Sequence, residues 1–335
     1  SREILNFGMM QYDEGCFSSA YKIFECNMSL EFSKYLELYI RQNHNYFYQC
    51  ISGGAREGQT ISKDILLSLE VIVPREDEIK KIIELYELID EKIKINHQIN
   101  LNLEEIMKNL FESWFINFEP LREKLDRRSK KFANEVFKLF PSKIVKTNLG
   151  NIPEGWFYEN LGDLFKIEYG KNLPVKKLLE DGYPVFGGNG IIGFNSKYLY
   201  EDEVTIIACR GAASGKVGRT TPKSFVTNNS LVINHVNSKI KSQKYVELFL
   251  KSKNIENYVT GSAQPQLTIE NIKNLKFLVP PNDLLNVFEK KCKLISQRQL
   301  TLNDEMISIK MLKDKVLLKL ISNDLNDNID KKVQE

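Results

Sequence analysis

The strongest constraint on the fold is that the chain repeats itself. "KYLELYI" (Lys34–Ile40) returns as "KYVELFL" (Lys244–Leu250), and "ISGGAREGQTI" (Ile51–Ile61) returns as "VTGSAQPQLTI" (Val259–Ile269). "LEVIVP" (Leu69–Pro74) then returns as "LKFLVP" (Leu275–Pro280) after a small slip. Two copies of one unit are therefore expected, each followed by a long stretch without glycine and with few helix breakers.

Those two stretches read as helices. In the first, Ile79, Ile82, Tyr86, Ile89, Ile93, Asn96, Asn100, Leu103, Met107, Leu110 and Trp114 alternate in steps of three and four. The second copy carries Leu285, Phe288, Cys292, Ile295, Gln299, Leu302, Met306, Ile309, Lys313, Val316 and Leu320 at the same steps. Such spacing marks a coiled-coil seam, and Pro74 and Pro280–Pro281 stand where such helices begin. About 40 residues at 1.5 Å each make a rod of roughly 60 Å. A lone helix with one apolar stripe is marginal in water. The two are therefore expected to pair antiparallel, placing the globules at opposite ends of one rod. The interface residues would be Ile82, Ile89, Ile93, Leu103, Leu110, Phe288, Ile295, Leu302, Ile309 and Val316. The polar seam residues Asn96, Asn100, Gln299 and Lys313 would cost stability and fix the register. The alternative packs each helix on its own globule; only the paired rod brings mid-helix positions such as Ile89 and Met306 together.

With 335 residues, 42% of them hydrophobic, the chain can build about two cores. No apolar run approaches a membrane span and no leader opens the chain, so neither membrane insertion nor secretion is expected. Cys16, Cys26, Cys50, Cys209 and Cys292 lie far apart with no paired spacing, which suits reduced cytoplasmic thiols better than a disulfide framework or a zinc site. His44, His97 and His235 show no ligand spacing. Residues 121–146 carry 9 Lys/Arg against 3 Asp/Glu and residues 151–280 carry 16 against 12, whereas residues 1–74 carry 6 against 9. A basic linker and a mildly basic second globule suit a polyanion, and a solvated surface accounts for the same counts.

The resulting organisation is an α+β chain. Residues 1–74 form the back part of a first globule and 75–120 a helix. Residues 121–150 form a basic linker, 151–280 a second globule, 281–325 another helix, and 326–335 a flexible tail. In the second globule, Val204–Arg210 and Ser230–Val236 alternate as strands, and a helix should cover Ser242–Lys251. The counterpart of "LGDLFKIEYGKNLP" (Leu161–Pro174) has no copy ahead of Ser1, so the first globule is expected to be shortened and the chain to be a fragment or processed form.

One stretch imitates a cofactor motif. "PVFGGNGIIGFN" (Pro184–Asn195) contains G-x-G-x-x-G at Gly188–Gly193. A dinucleotide fingerprint needs a strand before the first glycine and a helix opening inside the motif. Here the preceding apolar run is short and contains Pro184, and turn and strand follow. Gly187–Gly193 therefore reads as a tight hairpin needing positive φ, with Asn189 suited to the turn. "SGKVG" lacks the frame of a phosphate loop, "VPPN" at Val279 misses the amino-methyltransferase tetrad, and Glu201–Asp202–Glu203 reads as a solvated turn. No cofactor, metal or catalytic residue is expected, and the chain does not look like an enzyme by itself.

Several segments together resemble a known family. "LGNIPEGWFYENLGDLFKIEYGKNLP" (Leu149–Pro174), "PVFGGNGIIGF", "IIACRGAASGKVG", "FVTNNSLVI" and "GSAQPQLTIENIKNLKFLVPP" are similar to a target-recognition domain of the specificity (S) subunit of type I restriction-modification systems. "LNLEEIMKNLFESWFINFEP" (Leu101–Pro120) is similar to that family's central conserved region. The resemblance implies two mixed α/β target-recognition globules, the first truncated, separated by two long antiparallel coiled-coil helices. Each globule would read one half of a bipartite site in double-stranded DNA, with the helices as spacer. It also implies docking of methyltransferase (M) subunits, two of them, and through them restriction/motor (R) subunits. S-adenosylmethionine and ATP would belong to those partners, whose complex methylates adenine N6 and cuts DNA, and this chain would be non-catalytic. The shortened first globule departs from the family and leaves three alternatives: it folds alone, borrows a missing piece, or pairs two copies of the chain as a self-dimer. A structural protein that binds only methyltransferase partners through its coiled coil, without reading DNA, is the competing class.

Reading the major groove takes Arg for guanine and Asn or Gln for adenine, and phosphate contacts take Lys and Arg. Lys171, Lys197, Arg210, Lys216 and Arg219 are the charged candidates on or near expected loops. Asn189, Asn195, Asn228, Asn229, Gln264 and Gln266 could read base edges or merely finish turns. In the first globule Tyr21, Lys22, Arg56 and Gln59 occupy comparable places.

Overall fold

The computed structural model describes residues 8–9, 16, 21–52, 60–126, 134–235, 238–261 and 263–332, with side chains described as far as residue 316. The elements used below are, in chain order, helices α1 (Leu30–Gln42) and α2 (Glu76–Phe111), then strands β1 (Lys166–Tyr169), β2 (Tyr183–Gly187), β3 (Gly190–Asn195), β4 (Thr205–Ala208), β5 (Val217–Arg219), β6 (Phe225–Val226) and β7 (Ser230–Asn234), and helices α3 (Gln243–Lys251) and α4 (Asn282–Lys332). The chain forms two compact units. One comprises Ser1–Leu101 with Leu300–Glu335, the other Asn102–Gln299. Both long helices contribute to both units.

In the first unit, α1 opens at Ser29, whose Oγ accepts from the Phe32 amide at 3.2 Å. Its inner face, with Phe32, Tyr35, Leu38 and Tyr39, packs with Phe47 and Cys50 on Ile79, Ile82 and Ile83 of α2. The Tyr35 hydroxyl donates to Ile72 O at 3.0 Å, so this buried polar atom is satisfied. Helix α2 is preceded by Arg75, whose amide is capped in return by Glu78 Oε2 at 3.0 Å, half of a capping box. The same Arg75 holds the Glu78 carboxyl below its usual range. Ser62 and Thr268, which lie two residues apart in the alignment of the repeats, both cap short helices.

Within this unit α2 and α4 run antiparallel, as expected. Lys313 Nζ donates to Asp90 Oδ1 at 2.5 Å, Asn96 Nδ2 to Glu305 Oε2 at 3.0 Å, and Asn100 Nδ2 to Asn303 Oδ1 at 2.8 Å. Lys313 also lies 3.7 Å from the centroid of the Tyr86 ring. The polar seam residues Asn96, Asn100 and Lys313 thus find partners across the pair. Ile82 and Leu302 are buried, and Ile89, Ile93, Ile309 and Val316 are half-buried. One expectation shifts: α4 runs on to Lys332, past residue 325 where a flexible tail was expected, because nothing from Asn282 onward is a glycine or proline that would stop it.

In the second unit the same antiparallel relation holds through Ser296 Oγ on Met107 Sδ at 3.9 Å and Phe111 against Phe288 with centroids 6.5 Å apart. Phe288 is buried, and Leu103, Leu110 and Ile295 are half-buried. At its C-terminal end α2 widens into a π turn over Glu112–Ile116. That turn buries Trp114 and Phe115, and Phe118 then takes a positive φ of 53°. The strain is held by an aromatic cluster of Trp114, Phe115, Phe118, Phe140 and Trp156.

The globule of this unit is layered. A four-stranded antiparallel sheet runs in the order β5-β4-β7-β1, and a three-stranded sheet in the order β6-β2-β3. On one face of the larger sheet Ile207, Leu231 and Ile233 join Tyr245, Val246 and Phe249 of α3. On the other, Ile206 and Val232 meet Phe186 and Val226 of the smaller sheet. With both faces covered, β4 is buried along its whole length, which explains the unbroken apolar "IIA" (Ile206–Ala208) in its sequence. The strands are shorter than the expected Val204–Arg210 and Ser230–Val236: β4 stops at Ala208, after which Arg210 bridges Gln266, and β7 ends at Asn234, with residues 236–237 outside the described residues. Helix α3 matches its expected range, with Ser242 Oγ as the cap. The five cysteines are free thiols. Among the described residues no helix is long and apolar enough to cross a membrane, and no group of His, Cys, Asp and Glu is placed to hold a metal ion.

Candidate nucleic-acid interface

Strand pairing gathers most of the expected polar residues at one end of the four-stranded sheet. Register places Ser230 opposite Ala208, Leu231 opposite both Ile207 and Tyr169, and Val217 opposite Ile207. The segments leaving β1 and β4 and those entering β5 and β7 therefore meet there. Lys171 follows β1 and pairs by backbone with Val226 O at 2.9 Å, and Asn228 N donates to Lys171 O at 3.1 Å. Asn229 O accepts from Cys209 N at 2.8 Å, one residue before Arg210. Arg210 and Gln266 face each other in an isolated bridge, and Gly211 N donates to Pro265 O at 3.0 Å.

The β2–β3 hairpin brings its tip to the same place. Gly188 lies against Ala208 and the Asn229 and Arg210 carbonyls, and Lys216 Nζ donates to Asn189 Oδ1 at 2.7 Å. Lys171, Asn189, Arg210, Lys216, Asn229, Gln264 and Gln266 are all exposed. Three cations and several amides on loops anchored to a rigid sheet make a surface with the chemistry to grip phosphates and address base edges.

Two glycines set this geometry. Gly190 has φ 104° and closes the hairpin, whereas Asn189 stays out of the left-handed region that the sequence suggested for it. At Gly170 a Cβ would sit 2.2 Å from Thr227 O, so only glycine lets the chain leave β1 this closely. The hairpin also removes the dinucleotide reading: Gly188–Gly193 connects and forms strands, and no helix N-terminus opens in it.

Two of the charged candidates in the second globule fall outside the cluster. Arg219 sits at the far end of β5, paired with Thr205, and its side chain is only 16% exposed. It pairs with Glu203 at 3.1 Å and with Glu247 at 3.4 Å. Glu247 also takes Lys244 Nζ at 2.9 Å and Lys251 Nζ at 2.7 Å, and Lys251 reaches Glu104 at 3.6 Å. Burial would raise the Glu247 carboxyl, but Lys244, Lys251 and Arg219 outweigh it and hold it at about 2. Arg219 thus belongs to an internal ion network, which corrects its reading as a phosphate contact. Lys197 is exposed but follows β3, where the Asn195 amide donates to its carbonyl at 2.8 Å. It is roughly 16 Å of strand away from the tip. Tyr21 and Lys22 are exposed, and Arg56 and Gln59 lie outside the described residues.

Sequence reasoning missed Ile191 and Ile192, which are exposed beside the tip. The signal was present as two consecutive isoleucines in a glycine hairpin, where one alternation phase cannot bury both.

Residues 153–291 match the type I restriction modification DNA specificity domain. The type I restriction enzyme MjaIX specificity subunit of Methanocaldococcus jannaschii is 26% identical over 317 residues, covering 88% of this chain and 69% of that protein. The HindI specificity subunit of Haemophilus influenzae is 22% identical over 373 residues, covering 92% and 81%. The crystal structure of the S subunit of a type I restriction-modification system from M. genitalium superposes with a TM-score of 0.50 at 19% identity, covering 88% of this chain and 72% of that one.

Residues 153–291 thus carry the likeness to the type I restriction modification DNA specificity domain, and the chain shares its fold with the M. genitalium S subunit.

Proposed function

We propose that the chain recognises a bipartite DNA target and docks methyltransferase subunits, and through them restriction and motor subunits, while itself remaining non-catalytic. Residues 151–280 read one half-site through the loop cluster at the end of the four-stranded sheet, and residues 1–74 belong to the unit for the other. The helices over 75–120 and 281–325 act as the spacer between them.

The observation that carries this reading is the convergence of Lys171, Asn189, Arg210, Lys216 and Gln266 from four separate chain segments. Lys171, Arg210 and Lys216 grip phosphates and fix register on the duplex, which supplies most of the affinity without sequence information. Asn189, Asn229, Gln264 and Gln266 offer paired donor and acceptor groups to adenine edges. Methyltransferase docking is supported by apolar residues on the outer surfaces of the helices: Leu85, Leu88, Ile95 and Ile106 on α2, and Leu294, Leu300, Ile307 and Met311 on α4, all exposed.

Methylome sequencing of a host expressing the chain with its partner subunits tests the proposal. A two-part adenine-methylated motif supports it. Co-purification with a methyltransferase but no motif would show that the chain binds partners without reading DNA.

A further inference from the structure

The β2–β3 hairpin carries an irregularity next to the loop cluster. Phe186 pairs with Ile191 while the preceding Val185 pairs with Gly193, so Ile192 is an extra residue and Ile191–Ile192 together face Phe186. This is a β-bulge, a device that re-aims side chains and recurs beside functional sites. Ile191 is 54% and Ile192 44% exposed although they are adjacent in the strand. Alternation would bury one of them in a hairpin lying flat on its sheet; both stand clear. Ile192 Cγ2 would lie 2.9 Å from a Cβ on Gly187, so the glycine leaves room for the re-aimed side chain. The tip is fixed in place by the Lys216–Asn189 hydrogen bond, and the exposed Lys171, Arg210 and Lys216 surround it with positive charge.

Two half-exposed isoleucines on an edge strand invite aggregation unless a partner covers them. The surrounding cations select a polyanion. The major groove of DNA admits a two-stranded β-ribbon, and its one apolar feature is the C5-methyl group of thymine. We propose that the bulged tip of the β2–β3 hairpin enters the major groove and that Ile191 and Ile192 read thymine methyl groups in the half-site assigned to residues 151–280. The inference rests on the DNA-reading function above and adds specificity residues of apolar type to the amides and cations.

The test uses the complex of this chain with its methyltransferase partners and duplexes carrying the motif found by methylome sequencing. Each thymine of the half-site is replaced in turn by deoxyuridine, which removes only the methyl group, and binding is measured by fluorescence anisotropy. Wild type should lose about fourfold in affinity per methyl contact at one or two positions. Ile191→Ala or Ile192→Ala should bind the thymine duplex correspondingly less well and no longer distinguish it from the deoxyuridine duplex. Ile191→Leu should restore the distinction. A half-site without thymine, or wild-type binding indifferent to every deoxyuridine, overturns the inference while leaving DNA reading intact. Alanine variants that keep the full thymine preference, or that lose a protein partner instead of DNA affinity, overturn it as well. Absence of any sequence-specific binding by wild type overturns both readings.

Discussion

Glu247 is the residue whose loss should be felt most in the second unit. Its carboxylate is 5% exposed and its two oxygens take Lys244, Lys251 and Arg219, with Lys244 itself 7% exposed. Removing one partner of a buried pair leaves the others charged and unmatched, which costs about 3–5 kcal/mol. An independent route gives a similar figure. A carboxyl held at about 2 instead of its ordinary 4.5 contributes about 3 kcal/mol when ionised. Because the folded pKa is depressed, that stability is fully present above pH 4.5 and is lost as the pH falls toward 2. The assay is urea unfolding followed by tryptophan fluorescence. Trp114 and Trp156 are the chain's two tryptophans, and both are buried in the second unit. Glu247→Gln should be about 3 kcal/mol less stable than wild type at pH 7, and the gap should shrink steadily between pH 4.5 and pH 2. A variant within about 0.5 kcal/mol of wild type at pH 7, the usual range for surface changes, would refute the network. So would a gap that does not depend on pH.

Further outcomes follow from the same geometry. Lys216→Ala and Arg210→Ala should weaken DNA binding and lower the salt slope by about one each if they touch phosphate, whereas Arg219→Ala should chiefly destabilise the fold; unchanged slopes across several salt concentrations would remove Lys216 and Arg210 from the interface. His235 is buried against Phe165 and its imidazole is lowered to about 4, so its contribution is present above pH 6.5 and lost as the pH falls from 6.5 to 4. His235→Phe should flatten the pH dependence of unfolding in that window, and an unaltered profile would contradict the assignment. Ile93→Cys with Ile309→Cys should form a disulfide on mild oxidation, because the Asp90–Lys313 and Asn96–Glu305 contacts put these positions level. Ile89→Cys with Met306→Cys should not, being offset by roughly 11 Å along the helix axes, beyond disulfide reach.

How much of this was legible in the sequence depended on how local the determining physics is. Helices α2 and α4 could be read because absence of breakers and a three-four step are properties of the chain itself. So could the hairpin, since the residues after Gly193 have strand character. The pairing followed from the seam and its antiparallel sense from placing the globules at opposite ends, but the register did not follow: Ile89 and Met306 looked like partners, whereas the hydrogen bonds of Asn96 and Lys313 set a different alignment. Arg219 was misread because an arginine beside a glycine turn looks the same whether it meets phosphate or a buried glutamate. Its partner Glu247 sits in a helix far along the chain, and only strand pairing brings them together. The π turn at Glu112–Ile116 left no pattern in the sequence, being imposed by aromatic packing around Trp114 and Phe115. The bulge at Ile191–Ile192 was hidden for a similar reason, since register belongs to two strands and not to one.

The most direct measurement is an exchange of recognition segments. Residues 153–280 are replaced by the corresponding segment of the Haemophilus influenzae HindI specificity subunit, and the methylome is sequenced before and after with the same partner subunits. The account predicts that one half of the methylated motif changes, while the other half and the spacing between them stay as they were. A motif that is unchanged, or one in which both halves change together, would contradict the claim that this globule reads one half-site on its own.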